Sequence, residues 1–221
     1  MKEFLMKIFG QTLICAAIAV ASGAAVAQTA VGKAYWGLEV GSSKVENETG
    51  SLTSSLVSNL GGSASATEDS NMSAFKILGG YKYSENIDFE GAYFKSSDVN
   101  LTFAGTSRNG TSYAGNAAMS VSGFEGSVNL RPSVASGFNN AYLKAGVHSL
   151  TSDTSLRLTS GSVSISNSSS QTGTGTLYGL GYDHPIGDGN SLRIQCVKYR
   201  DVAGESGSGG TVVSFGFLKQ F

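Results

Sequence analysis

A strict two-residue alternation of side-chain character is the feature that most constrains this chain, and it is clearest from Met72 to Lys95. On either side of the polar turn Ser84-Glu85-Asn86, Phe75, Ile77, Gly79 and Tyr81, then Ile87, Phe89, Gly91 and Tyr93, fall on one face of an extended ribbon. Lys76, Leu78, Gly80 and Lys82, with Asp88, Glu90, Ala92 and Phe94, fall on the other. A helix repeats every 3.6 residues and cannot produce this order, so the stretch is a β-hairpin with one apolar and one charged face. In a soluble antiparallel sheet the apolar face turns inward. In a sheet closed within lipid it turns outward, and the charges line a narrow interior.

The same alternation recurs along the chain. A first strand reads Ala34 to Gly41, with Trp36, Leu38 and Val40 opposite Glu39. The hairpin supplies the second and third. A fourth runs from Ala118 to Leu130, with Phe124, Gly126 and Val128 opposite Glu125, Ser127 and Asn129, and Pro132 stops it because proline cannot donate to a ladder. The fifth sets Ala141, Leu143, Ala145 and Val147 against Tyr142, Lys144, Gly146 and His148. The sixth, Thr174 to Asp183, leads into a turn by composition at residues 184–189. The seventh sets Leu192, Ile194 and Cys196 against Arg193, Gln195 and Val197, and the eighth carries Val213, Phe215, Phe217 and Phe221 on one face.

Connections after the odd strands are long and polar (residues 42–71, 96–116, 149–172 and 201–210), whereas those after the even strands are short. A weak apolar patch at Leu52, Leu56, Val57 and Leu60 interrupts the first of them. In the second and third, Val99, Leu101 and Phe103, then Leu156, Leu158, Val163 and Ile165, suggest that the neighbouring ladders run on into them. Such sorting of short and long connections to opposite ends is the asymmetry of bacterial outer-membrane barrels, and a sandwich has no reason for it. An even number of strands also closes without an exposed edge. Tyr81, Tyr182 and Phe221 next to the short turns, with Trp36 and Tyr93 on the apolar faces, fit interfacial girdles.

Targeting agrees. Lys2 and Lys7 precede an apolar run from Leu13 to Ala21, too short to span a bilayer, and Ala25-Val26-Ala27 provides the small residues for cleavage before Gln28. The expected organisation is therefore a signal peptide over 1–27 and one barrel domain over 28–221, and a start at Met6 would leave an equally competent signal. Cleavage removes two Lys and one Glu, leaving 13 basic against 15 acidic residues and a net charge of −2, which gives no electrostatic basis for binding nucleic acid. It also leaves Cys196 as the one cysteine, so no disulfide is expected within the mature chain. Charged residues are 14% of the sequence against roughly 25% in ordinary globular proteins, with 30 Gly and only two Pro, again favouring an all-β chain.

Gly79-Gly80-Tyr81-Lys82-Tyr83, Ile87 to Tyr93, Tyr142 to Gly146, Tyr178-Gly179-Leu180-Gly181-Tyr182, Ser191-Leu192-Arg193 and the final Phe221 carry a resemblance over residues 33–221. The chain resembles the small eight-stranded outer-membrane barrels of the OmpA-like superfamily, in the stand-alone form without a peptidoglycan-binding module. The resemblance implies an eight-stranded antiparallel up-and-down transmembrane β-barrel, monomeric, in the outer membrane of a Gram-negative bacterium. It implies lipopolysaccharide and other outer-membrane lipid around the barrel, with periplasmic chaperones and the barrel-assembly machinery as partners in biogenesis; no metal-ligand cluster, P-loop or nucleotide fingerprint appears in the sequence, so no cofactor or metal is expected. Phe221, preceded by Phe217 and Phe215, looks like the aromatic end read by that machinery. Two departures stand out: Lys219 on the outward face of the last strand, and Gln195 where relatives carry a lumen Glu.

The inward faces collect Glu39, Lys76, Asp88, Glu90, Glu125, Lys144, Asp183 and Arg193. Eight strands leave an interior just wide enough for side chains to fill, and an unpaired charge there costs several kcal/mol, so these groups are expected to pair. The resemblance further implies that Glu90 is a central lumen acid with Lys144 and Arg193 as partners. The preferred functional reading is a structural and surface-interaction barrel, serving adhesion or envelope protection through its long loops, with a small gated pore as the second reading. Lipid A-modifying barrels use a His and Ser on one face. Here His148 and Ser149 are adjacent and point to opposite faces, and His184 is expected in a turn, so no catalytic site is assigned.

Overall fold

The computed structural model describes residues 30–44, 53–54, 57–58, 62–68, 71–132 and 140–221. The expected signal peptide with Ala25 and Ala27, the positions Leu52, Leu56 and Leu60, and the connection 136–139 lie outside them. Ten strands form: β1 (Ala34–Lys44), β2 (Ser63–Glu68), β3 (Asn71–Lys82), β4 (Ile87–Ser96), β5 (Val99–Thr106), β6 (Ser112–Leu130), β7 (Ala141–Ser160), β8 (Val163–Gly187), β9 (Asn190–Arg200) and β10 (Gly209–Gln220).

Eight of them close a ring. β1, β3, β4, β6, β7, β8, β9 and β10 each pair antiparallel with the next in chain order, and β10 returns to β1 with Leu38 opposite Phe217. Closure removes every edge from this part of the sheet. The expected eight-stranded up-and-down barrel is what forms, and β2 and β5 add to it beyond one end.

The sense of the faces is inverted relative to a soluble sheet. Phe75, Ile77, Phe89, Phe124, Leu143, Val147, Tyr178 and Phe215 are exposed on the outer wall, while Glu39, Lys76, Asp88, Glu90, Lys144 and Arg193 are buried inside. Edge-to-face pairs Trp36–Phe217 and Tyr93–Phe124 join neighbouring strands on the outside. Inside, bulky side chains lie over glycine of the adjacent strand: a Cβ at Gly80 would overlap the Tyr35 ring, and one at Gly181 the ring of Tyr142. Glycine therefore sits where an inward aromatic crosses the neighbouring backbone.

Two of the connections expected to be long polar loops, 96–116 and 149–172, are largely strand, and the first, 42–71, contains β2. β7 and β8 continue as one ladder to Ser160 and Val163, turning at residues 161–162, and β6 extends up to Ser112 beside β7. At Ser97-Asp98 the line of β4 breaks and β5 takes its place along the upper part of β6, with β2 paired outside β5. Ser96 and Ser97 bridge the break: the Val121 N–H donates to Ser96 Oγ at 2.8 Å, and the Ser97 N–H to the Ser73 carbonyl at 2.8 Å. The result is a five-stranded extension of β2, β5, β6, β7 and β8 beyond one mouth of the ring.

The opposite end has the short turns. Residues 83–86 join β3 to β4, and Asp188 and Gly189, both at positive φ (52° and 71°), make a two-residue turn between β8 and β9. The expected turn at 184–189 is thus corrected: β8 continues through His184, which pairs with Leu192 and stacks on Tyr182, and only the last two residues turn. Cys196 lies on the outward register of β9 but is 4% exposed and disulfide-bonded. The expectation of an unbridged thiol applies only to a chain cleaved after Ala27, which keeps no second cysteine.

Candidate functional site

The interior is organised as a ladder of buried ion pairs rising from the turn end. Asp88 on β4 accepts from Lys82 Nζ at 3.4 Å and from Arg131 Nε at 2.8 Å. Arg131 stands just past β6 and also donates through Nη2 to Asp183 Oδ2 at 2.6 Å. Asp183 on β8 takes two further bonds from Arg193 on β9, at 2.7 and 3.0 Å. Arg193 Nη1 then contacts Glu90 Oε1, whose other oxygen accepts from Lys144 Nζ, and Tyr35 donates to Glu90 at 2.8 Å. Higher still, Lys76 bonds Glu125 at 2.8 Å, and the Tyr199 hydroxyl donates to the second Glu125 oxygen at 2.6 Å.

One tyrosine organises the guanidiniums. Arg131 and Arg193 both lie over the Tyr142 ring, their central carbons 5.0 and 4.9 Å from its centroid, so one ring serves two cations. Arg131 is also the titratable group outside the strands whose state the site fixes. Burial works against its charge, but the carboxylates of Asp183 and Asp88 outweigh that penalty and hold the guanidinium above its usual pKa.

All eight residues expected in the interior are there, and seven of them join this ladder through hydrogen-bonded ion pairs. Glu39 differs. Its nearest cation atom, Arg193 Nη1, is 3.7 Å away, and its Oε2 is held by Gln195 Nε2 and by the Ser214 hydroxyl. Gln195 in turn accepts from the Tyr142 hydroxyl at 3.1 Å. The amide at 195 has a local reason: a Glu there would set one carboxylate against another.

Sequence reasoning missed Lys82 and Arg131 as members. The eight expected residues comprise five acids and three bases, an imbalance that a dry interior does not tolerate. Lys82 and Arg131 supply the missing cations and make the count five to five. Both were legible in principle, since Lys82 was on the charged face and Arg131 continues the inward register of Glu125, Ser127 and Asn129.

An apolar layer caps the ladder on the side of the extension. Ala74, Phe94, Val121, Leu150, Leu177, Val197, Tyr199 and Val212 form one buried cluster contributed by seven of the eight ring strands, and β1 adds buried Ser43 beside Val212. Val202, in the 3-10 turn Val202–Gly204 between β9 and β10, packs on the layer from above, and Gln171 donates to the Ala203 carbonyl at 3.2 Å. At the turn end a cavity of about 10 Å³, lined by Lys82, Asp88, Arg131, Asp183 and Ser191, leaves room on the order of one water.

The histidines sit apart from any nucleophile. His148 is buried, its Nε2 2.9 Å from the Arg200 carbonyl and its ring 5.6 Å from that of Tyr199, while neighbouring Ser149 is exposed on the outer wall. Phe215, Phe217 and Phe221 are exposed in the outward register of the last strand, and Lys219 among them donates to the Asp188 carbonyl at 2.7 Å, which satisfies its ammonium at the rim.

A closed antiparallel ring with an apolar wall and a balanced charged interior coincides with a match, over residues 13–219, to the model of the outer membrane protein beta-barrel domain. The chain belongs to that family. It is an outer-membrane β-barrel. Among solved structures it is similar to Ail, the attachment invasion locus protein of Yersinia pestis, at 10% identity over 87% of this chain and 100% of Ail, with a TM-score of 0.44. It is similar to the outer membrane protein OprG of Pseudomonas aeruginosa at 11% identity over 86% and 96%, with a TM-score of 0.42. The N-terminal β-barrel domain of OprF from Pseudomonas aeruginosa matches at 9% identity over 85% and 97%, with a TM-score of 0.37. No curated protein matches the sequence.

Proposed function

We propose that this protein is a sealed, monomeric surface-interaction barrel, whose working part is the β-extension and whose interior is structural. The observation that carries the reading is the apolar layer across the bore, stacked on hydrogen-bonded ion pairs that take up the interior charges other than Glu39. A conducting lumen needs a continuous wet path, and eight strands filled in this way leave none. The extension belongs on the outside of the cell, because short turns face the periplasm in barrels of this kind. Adhesion or protection of the envelope is the role that such a projecting sheet serves.

The same reading includes export through cleavage at Ala25-Val26-Ala27, assembly directed by Phe215, Phe217 and Phe221, and a wall of Phe75, Phe89, Phe124 and Phe215 in contact with lipid and lipopolysaccharide. Planar-bilayer recording on the refolded protein tests it. We expect no unitary conductance steps. Reproducible steps that change when Glu90 is replaced by Ala would favour the small gated pore and overturn the proposal.

A further inference from the structure

The ring has no edges, but the extension does. β9 pairs with β8 only from Thr176 onward, whereas β7 pairs with it from Val163. Between Val163 and Gly175 one side of β8 therefore takes no strand partner among the described residues. The 3-10 turn lies against β8 at Gln171 and Gly173, so the open part is Val163 to Ser170.

Which backbone groups face the opening follows from the register. The Asp183 N–H donates to the Asn140 carbonyl at 2.9 Å, so odd-numbered residues of β8 bond toward β7, and pairing runs from there to Val163 without a shift. The even-numbered residues Ser164, Ser166, Ser168 and Ser170 then aim their N–H and C=O groups at the open side. Natural sheets protect such edges with charge, proline or bulges. This edge has none of these: no Asp, Glu, Lys, Arg or Pro occurs from Leu158 to Tyr182.

We infer that the open edge of β8 is a docking strand for an extended segment of an extracellular polypeptide, which adds to the sheet beside Val163–Ser170. Alternating donors and acceptors over several residues are matched by another extended backbone and by little else. Side chains beside the edge define what that segment carries. On the inner face Val163 and Ile165 are exposed, next to Leu156 and Leu158 of β7, and they accept apolar residues at every second position. On the outer face the edge strand itself presents only hydroxyls, Ser164, Ser166, Ser168 and Ser170, with Arg157 and Asp153 of β7 one strand further in, and it accepts uncharged polar residues. The partner is thus an uncharged β-forming segment with alternating apolar side chains. The inference rests on the surface-interaction reading above.

The test uses the refolded protein and a short acetylated peptide of alternating Val and Thr with a terminal Arg for solubility. Binding is read by fluorescence anisotropy and by amide exchange. We expect the peptide to slow exchange at Ser164, Ser166 and Ser168. Ser168→Pro removes one edge N–H without touching a bond to β7, and we expect binding about tenfold weaker, while Ser168→Ala binds as wild type. Retained heat-modifiable migration of the Pro variant shows that the barrel is intact. Equal binding by the Pro variant, protection elsewhere, or no binding at all overturns the inference. Dimers of the protein that disappear on Ser168→Pro also overturn it, because the occupant is then a second copy. Conductance decides the sealed-barrel reading separately, so failure of one is not failure of the other.

Discussion

Arg131 and Asp183, 52 residues apart in the chain, meet through a 2.6 Å bond that ties the end of β6 to β8, and the same guanidinium holds Asp88 of β4. One side chain thereby clamps three strands at the turn end of the barrel. Replacing Arg131 by Ala leaves two buried carboxylates short of a partner, and the expected cost is about 3–5 kcal/mol. Arg131→Lys, with a point charge in place of a fork, recovers only part of it. Urea titration of the folded band on unheated gels measures both; unchanged midpoints would remove the clamp from the account.

Gln195 donates to Glu39. Gln195→Glu puts a second carboxylate against the first and is expected to destabilise the barrel by several kcal/mol at neutral pH. The swapped pair, Gln195→Glu with Glu39→Gln, restores an amide facing a carboxylate and is expected to recover most of the loss. A double-mutant cycle on urea midpoints reads this coupling, and additive losses would contradict it.

Leu150 is 1% exposed in the apolar layer across the bore. Leu150→Ala opens a cavity there, with an expected loss of about 2–5 kcal/mol and no conductance, since Phe94, Val121 and Leu177 still close the section. A conducting Leu150→Ala barrel would mean that the layer is a single-residue gate.

Gly181 lies under the Tyr142 ring. A methyl group there displaces the ring that Arg131 and Arg193 both lie over, so Gly181→Ala is expected to cost about 1–3 kcal/mol. Gly126, where a Cβ meets nothing, is the control, and Gly126→Ala is expected to be neutral or mildly stabilising. Equal effects at the two sites would dismiss the ring-over-glycine packing.

How much of this was legible in advance differs by element. Strands whose two faces differ, such as Ile87–Ser96 with Phe89 and Tyr93 against Asp88 and Glu90, announce themselves, because one face meets lipid and the other a charged interior. The extension was hidden for the opposite reason. Both faces of β8 from Ser164 to Thr174 meet water, so Ser, Asn and Gly serve on either side, and the alternation that marks a strand fades to Val163 and Ile165. Proline at 132 also drew attention away from Arg131, whose side chain continues the inward register past the end of its strand.

Period-two alternation and the sorting of short and long connections were enough to determine a closed eight-stranded barrel with its apolar face outward and its charges inside. Those are local properties, since each residue's face is set by its immediate neighbours. Which charges meet was decided only by closure, which brings Lys144 to Glu90 and Arg131 to Asp183 across more than 50 residues of chain. Closure also stacked apolar residues from seven strands into one seal, and it left one side of β8 without a strand neighbour above Thr176 among the described residues. Those facts depend on the register around the whole ring, and no stretch of the sequence carries that register by itself.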